Sequence, residues 1–172
     1  MIFYKKFSKN GFKNGNVWLY SGGVIYIPPH ITKEVIMKEN LSKYIGLIHK
    51  YQGSGNYCDC LNLVQMFYKD HGYKQDFNDG RPRPKTWDDY INHEPTRMVR
   101  YLVKNFKKTK NIDDLEYGDV ILTNIAGDAH LGVYIGDGKA LAMQIPVVEG
   151  KSKSTIYKRK FWGPYFKAGF KR

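Results

Sequence analysis

With 172 residues the chain is the size of one domain and can bury most of a core without covalent staples. A hydrophobic fraction of 42%, with 15% aromatics, excludes a disordered polar chain, and apolar runs of only a few residues fall short of the ~18 to 20 that a membrane-spanning helix needs. Lysine and arginine number 28 against 16 acidic residues, a net charge of +12 that favours anionic partners. The basic residues are spread over Lys5 to Lys13, Arg97 to Lys110 and Lys151 to Arg172, without a zinc-finger or Gly-rich nucleic-acid signature. An anionic polymer surface is therefore expected ahead of nucleic acid.

The first thirty residues predict a β-rich arm, residues 1–30. Asn14-Gly15 and Gly22-Gly23 are turn dipeptides around Val17 to Tyr20, and Val24 to Ile27 forms a second run that Pro28-Pro29 ends. Residues 31–172 form the main domain. Apolar spacings from Thr32 and Val35 through Leu41, Ile45 and Ile48 predict a helix, with Asn40 or Gly46 as interruptions. Gly53 to Asn56 is a loop, and a helix is predicted from about Asp59 to Lys69 that Gly72 stops. The segment Asp76 to Lys85, with Gly80, Pro82 and Pro84, predicts a long surface loop, followed by short helices at Trp87 to Tyr90 and Thr96 to Phe106. Strands follow at Val120 to Leu122, His130 to Ile135, Lys139 to Ile145 and Thr155 to Tyr157. Helices first and one antiparallel sheet second is an α+β architecture.

Cys58 and Cys60 are too close for an ordinary disulfide and too few for a four-ligand zinc site, so no metal or cofactor is expected. Cys60 falls in the first turn of its predicted helix, where free backbone amides and the helix dipole favour a thiolate. A depressed thiol pKa is the expectation, with Asp59 capping the helix and fixing the sulfur. The alternative is that both cysteines are small buried hydrophobes. His130 begins an alternating strand and shares a face with Gly132 and Tyr134, while Leu131, Val133 and Ile135 point into the core. An imidazole on a rigid strand is either structural or the base that activates a thiol.

Several segments, in order, resemble the NlpC family of bacterial and phage cell-wall cysteine peptidases. Asp59-Cys60-Leu61-Asn62-Leu63-Val64 resembles the family's Asp-Cys-Ser-Gly-Leu-Val signature, and Pro82-Arg83-Pro84-Lys85-Thr86 its Pro-Arg-Thr loop. Leu115-Glu116-Tyr117-Gly118-Asp119-Val120 is similar to its Leu-x-Pro-Gly-Asp-Leu strand entry, and His130-Leu131-Gly132-Val133-Tyr134-Ile135-Gly136 to its His-Val-Gly-Ile-Tyr-x-Gly strand. Tyr44-Ile45-Gly46 looks like the helix ahead of the nucleophile, and Phe161-Trp162 to Arg172 like the aromatic and basic final strand. The resemblance covers Leu41 to Arg172. It implies a compact papain-like fold and a cysteine endopeptidase of peptidoglycan stem peptides, with Cys60 as nucleophile and His130 as base.

Two departures stand out. The family's Ser-Gly after the nucleophile is Leu61-Asn62, and the polar residue that orients the imidazole aligns near Ala142. Gln144 is the nearest substitute, able to accept the Nδ1 proton if it shares a face with His130. A two-residue turn at Asp137-Gly138 pairs Tyr134 with Leu141 and turns Gln144 away. A three-residue loop pairing Gly132 with Gln144, the favoured case, brings the two to one face; otherwise a dyad stands alone. By the same resemblance Tyr51 and His49, with Asp59, are the candidate substrate-binding residues. Met1 to Asn10 lacks the apolar stretch of a secretory signal. That start, the basic charge and the arm lead to an expected phage-tail or virion setting, or release to the envelope, with other tail proteins meeting residues 1–30. The rivals are a tail-tip adaptor that has lost efficient catalysis and a thiol amidase or acyltransferase on another amide.

Overall fold

The structure is a computed structural model that describes residues 40–125, 127–145 and 147–172 in full and the backbone of residues 17–20 and 23–26. The chain divides into two units, residues 1–41 and 42–172. In the first, β1 (Val17–Tyr20) and β2 (Gly23–Tyr26) pair antiparallel, Val17 opposite Tyr26 and Tyr20 opposite Gly23. The Asn14-Gly15 and Pro28-Pro29 signals and the start of the helix predicted from Thr32 lie outside the described residues.

The described part of that predicted helix is not one. Leu41–Tyr44 is a single 3-10 turn, Gly46 takes φ +83°, and Ile48–His49 is a short strand, β3. It runs parallel to β4 (Tyr57–Cys58), His49 opposite Cys58. Helical spacing failed here because the amides of Gly46, Leu47 and His49 find partners about a hundred residues away: the Ser154 carbonyl at 2.9 Å, Ser154 Oγ at 2.9 Å and the Ser152 carbonyl at 2.7 Å.

Three helices stand close to their predicted places: α1 (Cys60–Asp70), α2 (Trp87–His93) and α3 (Arg97–Asn105). Asp59 caps the first and Thr86 the second, each side chain accepting an amide proton from the residue three further on. The buried side of α1 is Leu61, Leu63, Val64, Phe67 and Tyr68.

One antiparallel sheet follows. It is built from β5 (Lys107–Thr109), β6 (Val120–Ile125), β7 (Asp128–Tyr134), β8 (Lys139–Met143), β9 (Ser154–Lys158) and β10 (Phe166–Lys171), in the order β5-β10-β6-β7-β8-β9. The final segment is not all strand: α4 (Arg159–Trp162) and a 3-10 turn at Gly163–Tyr165 precede β10. Strand alternation gives the sheet two covered faces. Helix α1 lies against β7, and buried Val120, Leu131, Val133, Leu141 and Met143 share one face by register. On the other face Ile121 and Ala140 pack with Leu115 and Trp162.

The turn between β7 and β8 has three residues, Gly136, Asp137 and Gly138, all with positive φ. Gly132 pairs with Ala142, not with Gln144. The loop length is the favoured one, but it begins one residue earlier than expected and moves the register by two, which preserves which residues share a face.

The loop from Asp76 to Lys85 is tied down at both ends. Arg97, 6% exposed, donates to Asp79, to Glu94 and to the carbonyls of Arg81 and Pro82. Its guanidinium holds the Asp79 carboxyl well below the usual carboxylate range. Replacing Arg97 with Met leaves Asp79 and Glu94 to Arg81 alone and strips two carbonyls of their donor, and the expected loss is about 2 kcal/mol of unfolding free energy in a urea titration. A loss under about 0.5 kcal/mol would show the network to be a solvated surface cluster.

Candidate active site

The Asp59 carboxylate organises the start of α1. One oxygen accepts from the Asn62 amide at 2.8 Å; the other accepts from the Gln52 amide at 2.9 Å and from Arg83 Nη2 at 2.7 Å. Arg83 spends its other terminal nitrogen on Asn62 Oδ1 at 3.0 Å, and its guanidinium lies 5.1 Å from the Tyr51 ring centre. Tyr51 in turn donates its hydroxyl to the Pro84 carbonyl at 3.1 Å and meets Trp87 edge-on. Helix start, preceding loop and proline loop are thereby one unit around Cys60. Asn62 is explained as well: its side chain is the second anchor of the arginine fork.

Backbone amides of Leu61, in the first helical turn, and of Leu131, on β7, lower the Cys60 pKa against burial. Ile135 donates to the Lys139 carbonyl, so alternate amides of β7, that of Leu131 among them, point toward β8. Ladder pairing between the two strands ends at Gly132 and Ala142, which leaves the Leu131 amide outside it. Helix α1 packs on β7 at the face of Leu131, while the imidazole roots on the opposite face beside Gly132.

Burial pushes the Cys60 thiol up to about 11, with Asp59 adding to the rise; the two amides and Arg83 pull it back only in part. The expected depressed thiol is thus replaced by a raised one, because desolvation outweighs the helix-start amides. Cys58 is fully buried, its thiol pushed up to about 12 chiefly by burial, and it donates to Met143 Sδ at 3.7 Å. It is the small buried hydrophobe of the pair.

Burial also lowers the His130 pKa, and positive charge at nearby His49 lowers it further against the pull of Asp128. The imidazole is neutral at neutral pH. His49 shares that fate through burial, opposed by Asp59 and Glu149. Its Nδ1 is the one buried side-chain nitrogen or oxygen without a hydrogen-bond partner among the described residues. Gln144 is exposed, and its Oε1 accepts from the Lys153 amide at 3.1 Å. Among the described residues no His, Cys, Asp and Glu side chains converge as metal ligands, and no helix is long and apolar enough to cross a membrane.

Arg83 and Tyr90 were not singled out as site residues. Burial raises the Tyr90 pKa, the Met98 backbone opposes the rise, and charge at nearby Cys60 and Tyr51 adds to it. The arginine had a signal, its place between two prolines; the tyrosine had none.

A search of curated proteins finds no match. Among solved structures the fold is similar to NlpC1 from Trichomonas vaginalis, with 14% identity and a TM-score of 0.51 over 77% of this chain and 41% of that one. A second, NlpC2 from Trichomonas vaginalis, has 15% identity and a TM-score of 0.47 over 94% of this chain and 60% of that one. The chain therefore spans about two fifths and three fifths of these proteins. A comparison with protein-family models matches the NlpC/P60 family over residues 46–167. With helices packed on an antiparallel sheet in the papain-like manner and most of its length inside that match, the chain belongs to the NlpC/P60 family.

Proposed function

We propose that the protein is a cysteine endopeptidase acting on amides of peptidoglycan stem peptides, with Cys60 as nucleophile and His130 as general base. The observation that carries this is the packing of the helix that begins at Cys60 against β7, the strand that carries His130. Membership of a family of cell-wall cysteine peptidases and amidases supports the substrate class.

The resting pair is a protonated thiol and a neutral imidazole, not an ion pair, because burial works on both groups in the direction of neutrality. Proton transfer belongs to the attack itself. His130 takes the thiol proton as sulfur bonds to the carbonyl carbon, and the positive end of α1 stabilises the charge that develops on the carbonyl oxygen. Collapse of the tetrahedral intermediate breaks the C–N bond, and His130 returns the proton to the leaving amine. Water, deprotonated by His130, then hydrolyses the thioester and restores the thiol. His49, through its unpartnered Nδ1, and Tyr51 flank the cleft as substrate contacts, while Asp59 acts by holding the helix start. Gln144 serves as the orienting residue only by leaving Lys153; the same register continued two residues carries it opposite His130.

The setting we propose is a phage tail or virion, with the arm of residues 1–30 toward neighbouring proteins and the +12 charge favouring an anionic wall. The raised Cys60 thiol and the alanine at 142 favour a second reading, a tail-tip protein that keeps the fold with weak catalysis.

New amino termini should form when peptidoglycan is incubated with the protein, with Cys60→Ala and His130→Ala each lowering the rate at least a thousandfold. Equal release by parent and Cys60→Ala would exclude a thiol mechanism, and no release by either would favour the tail-tip reading. In a Cys58→Ala background, alkylation of Cys60 by iodoacetamide should keep climbing with pH toward about 11, with no plateau at low pH. A plateau below pH 6 would instead reveal a thiolate–imidazolium pair. The pH profile of kcat/KM should fall as pH drops below 6.5, since His130 must be neutral and its pKa lies under that value. Arg83→Met should cut kcat tenfold or more and leave KM within about twofold, since the arginine fixes the helix start; an unchanged kcat would remove its positioning role.

A further inference from the structure

We propose that the aromatic corner formed by Tyr51, Trp87 and Tyr90 is the subsite for a sugar ring of the glycan strand that carries the stem peptide. This rests on the peptidoglycan-hydrolase reading above and names the part of the substrate that lies beyond the attacked amide. Trp87 and Tyr90 are three residues apart on α2, the spacing that brings two side chains together on a helix. Their rings stack with centres 5.5 Å apart and planes at 19°. Tyr51, from the loop ahead of α1, meets Trp87 edge-on at 5.7 Å and lies 6.4 Å from Tyr90.

The corner is built but uncovered. Helix α2 buries no residue fully; Trp87 stays 45% exposed and Ile91, one turn further on, 39%. A contiguous apolar patch held at the surface marks a contact site rather than core. Tyr51 is fixed by its hydroxyl on the Pro84 carbonyl at 3.1 Å and by the Arg83 guanidinium 5.1 Å from its ring centre. The corner also adjoins the nucleophile. Arg83 bonds the carboxylate of Asp59, the neighbour of Cys60, at 2.7 Å, and the Tyr90 pKa is raised by burial with charge at nearby Cys60 adding to the rise. A stem peptide starts on the glycan, and two or three extended residues span about 7 to 11 Å. A substrate seated at Cys60 therefore has a sugar within reach of the corner.

The surroundings decide the chemistry of the occupant. A cation is disfavoured, because Arg83 already lies over Tyr51 and would repel it. An anion is disfavoured as well: both terminal nitrogens of Arg83 are taken by Asp59 and Asn62, and the ring faces are electron-rich. A neutral pyranose suits the place. Its axial C–H bonds present slight positive charge to a ring face, while its hydroxyls stay in water or reach the exposed Asp88 and Asn92 of the same helix. A methyl-sized side chain would cover little of an indole.

The test compares one stem peptide, free and joined to an N-acetylglucosaminyl-N-acetylmuramyl disaccharide, as substrates of the full chain. The kcat/KM should be at least tenfold higher with the sugars. In Trp87→Ala, a change on a helix that buries no residue fully, that ratio should fall toward one, and Trp87→Phe, which keeps a ring, should retain most of it. A ratio of one in the parent, or a loss of equal size on both substrates in Trp87→Ala, would overturn the subsite. If neither substrate is cleaved, the hydrolase reading fails instead, and calorimetric titration with tri-N-acetylchitotriose decides the subsite. Saturable binding lost in Trp87→Ala upholds it; no binding by the parent, or binding that Trp87→Ala keeps, overturns it.

Discussion

The Asp59 carboxylate joins three pieces of chain at one point. Its hydrogen bonds to the Asn62 and Gln52 amides and to Arg83 fix where the helix begins, where the preceding loop turns and where the proline loop lies. Cys60 sits in the middle of this arrangement, so the position of its sulfur is settled by a group that is not itself reactive. The same buried negative charge works against ionisation of the thiol. Arg83, paired with the carboxylate, offsets part of that cost through its own positive charge. Positional order at the nucleophile and a low thiol pKa are in competition here, and the fold has chosen order.

That choice shapes the rest of the site. A thiol that is protonated at rest needs its base unprotonated and close, and the same burial that raises the one lowers the other. The sheet brings to that requirement the strand that packs under α1. The β7–β8 ladder ends at Gly132 and Ala142, so the Leu131 amide, which helps to lower the Cys60 pKa, lies outside it.

Much of this was legible in the sequence. The helix at Cys60, its aspartate cap, the strands from Val120 onward and the shared face of His130 and Gly132 follow from spacing and capping chemistry, which act locally. What misled was also local. Ile45 and Ile48 kept a helical spacing, but the backbone there is claimed by Ser152 and Ser154, about a hundred residues away. Likewise a helix N-terminus predicts a depressed thiol, whereas depth of burial depends on what packs over it. The three consecutive positive φ values at Gly136–Gly138 set the register, and only glycines on both sides of Asp137 hinted at them.

The departures from the family's usual residues then fall into two kinds. Asn62 in place of glycine is compensated, since its amide oxygen takes the second nitrogen of Arg83 and strengthens the unit that holds the sulfur. Ala142 has no compensation of that sort: Gln144 gives its oxygen to Lys153, and the space over residue 142 is apolar. Residue 142 stands opposite Gly132 on the face that His130 shares, so the two departures differ in kind: one rebuilds the support of the nucleophile, and the other leaves an alanine where the family places a polar neighbour for the base.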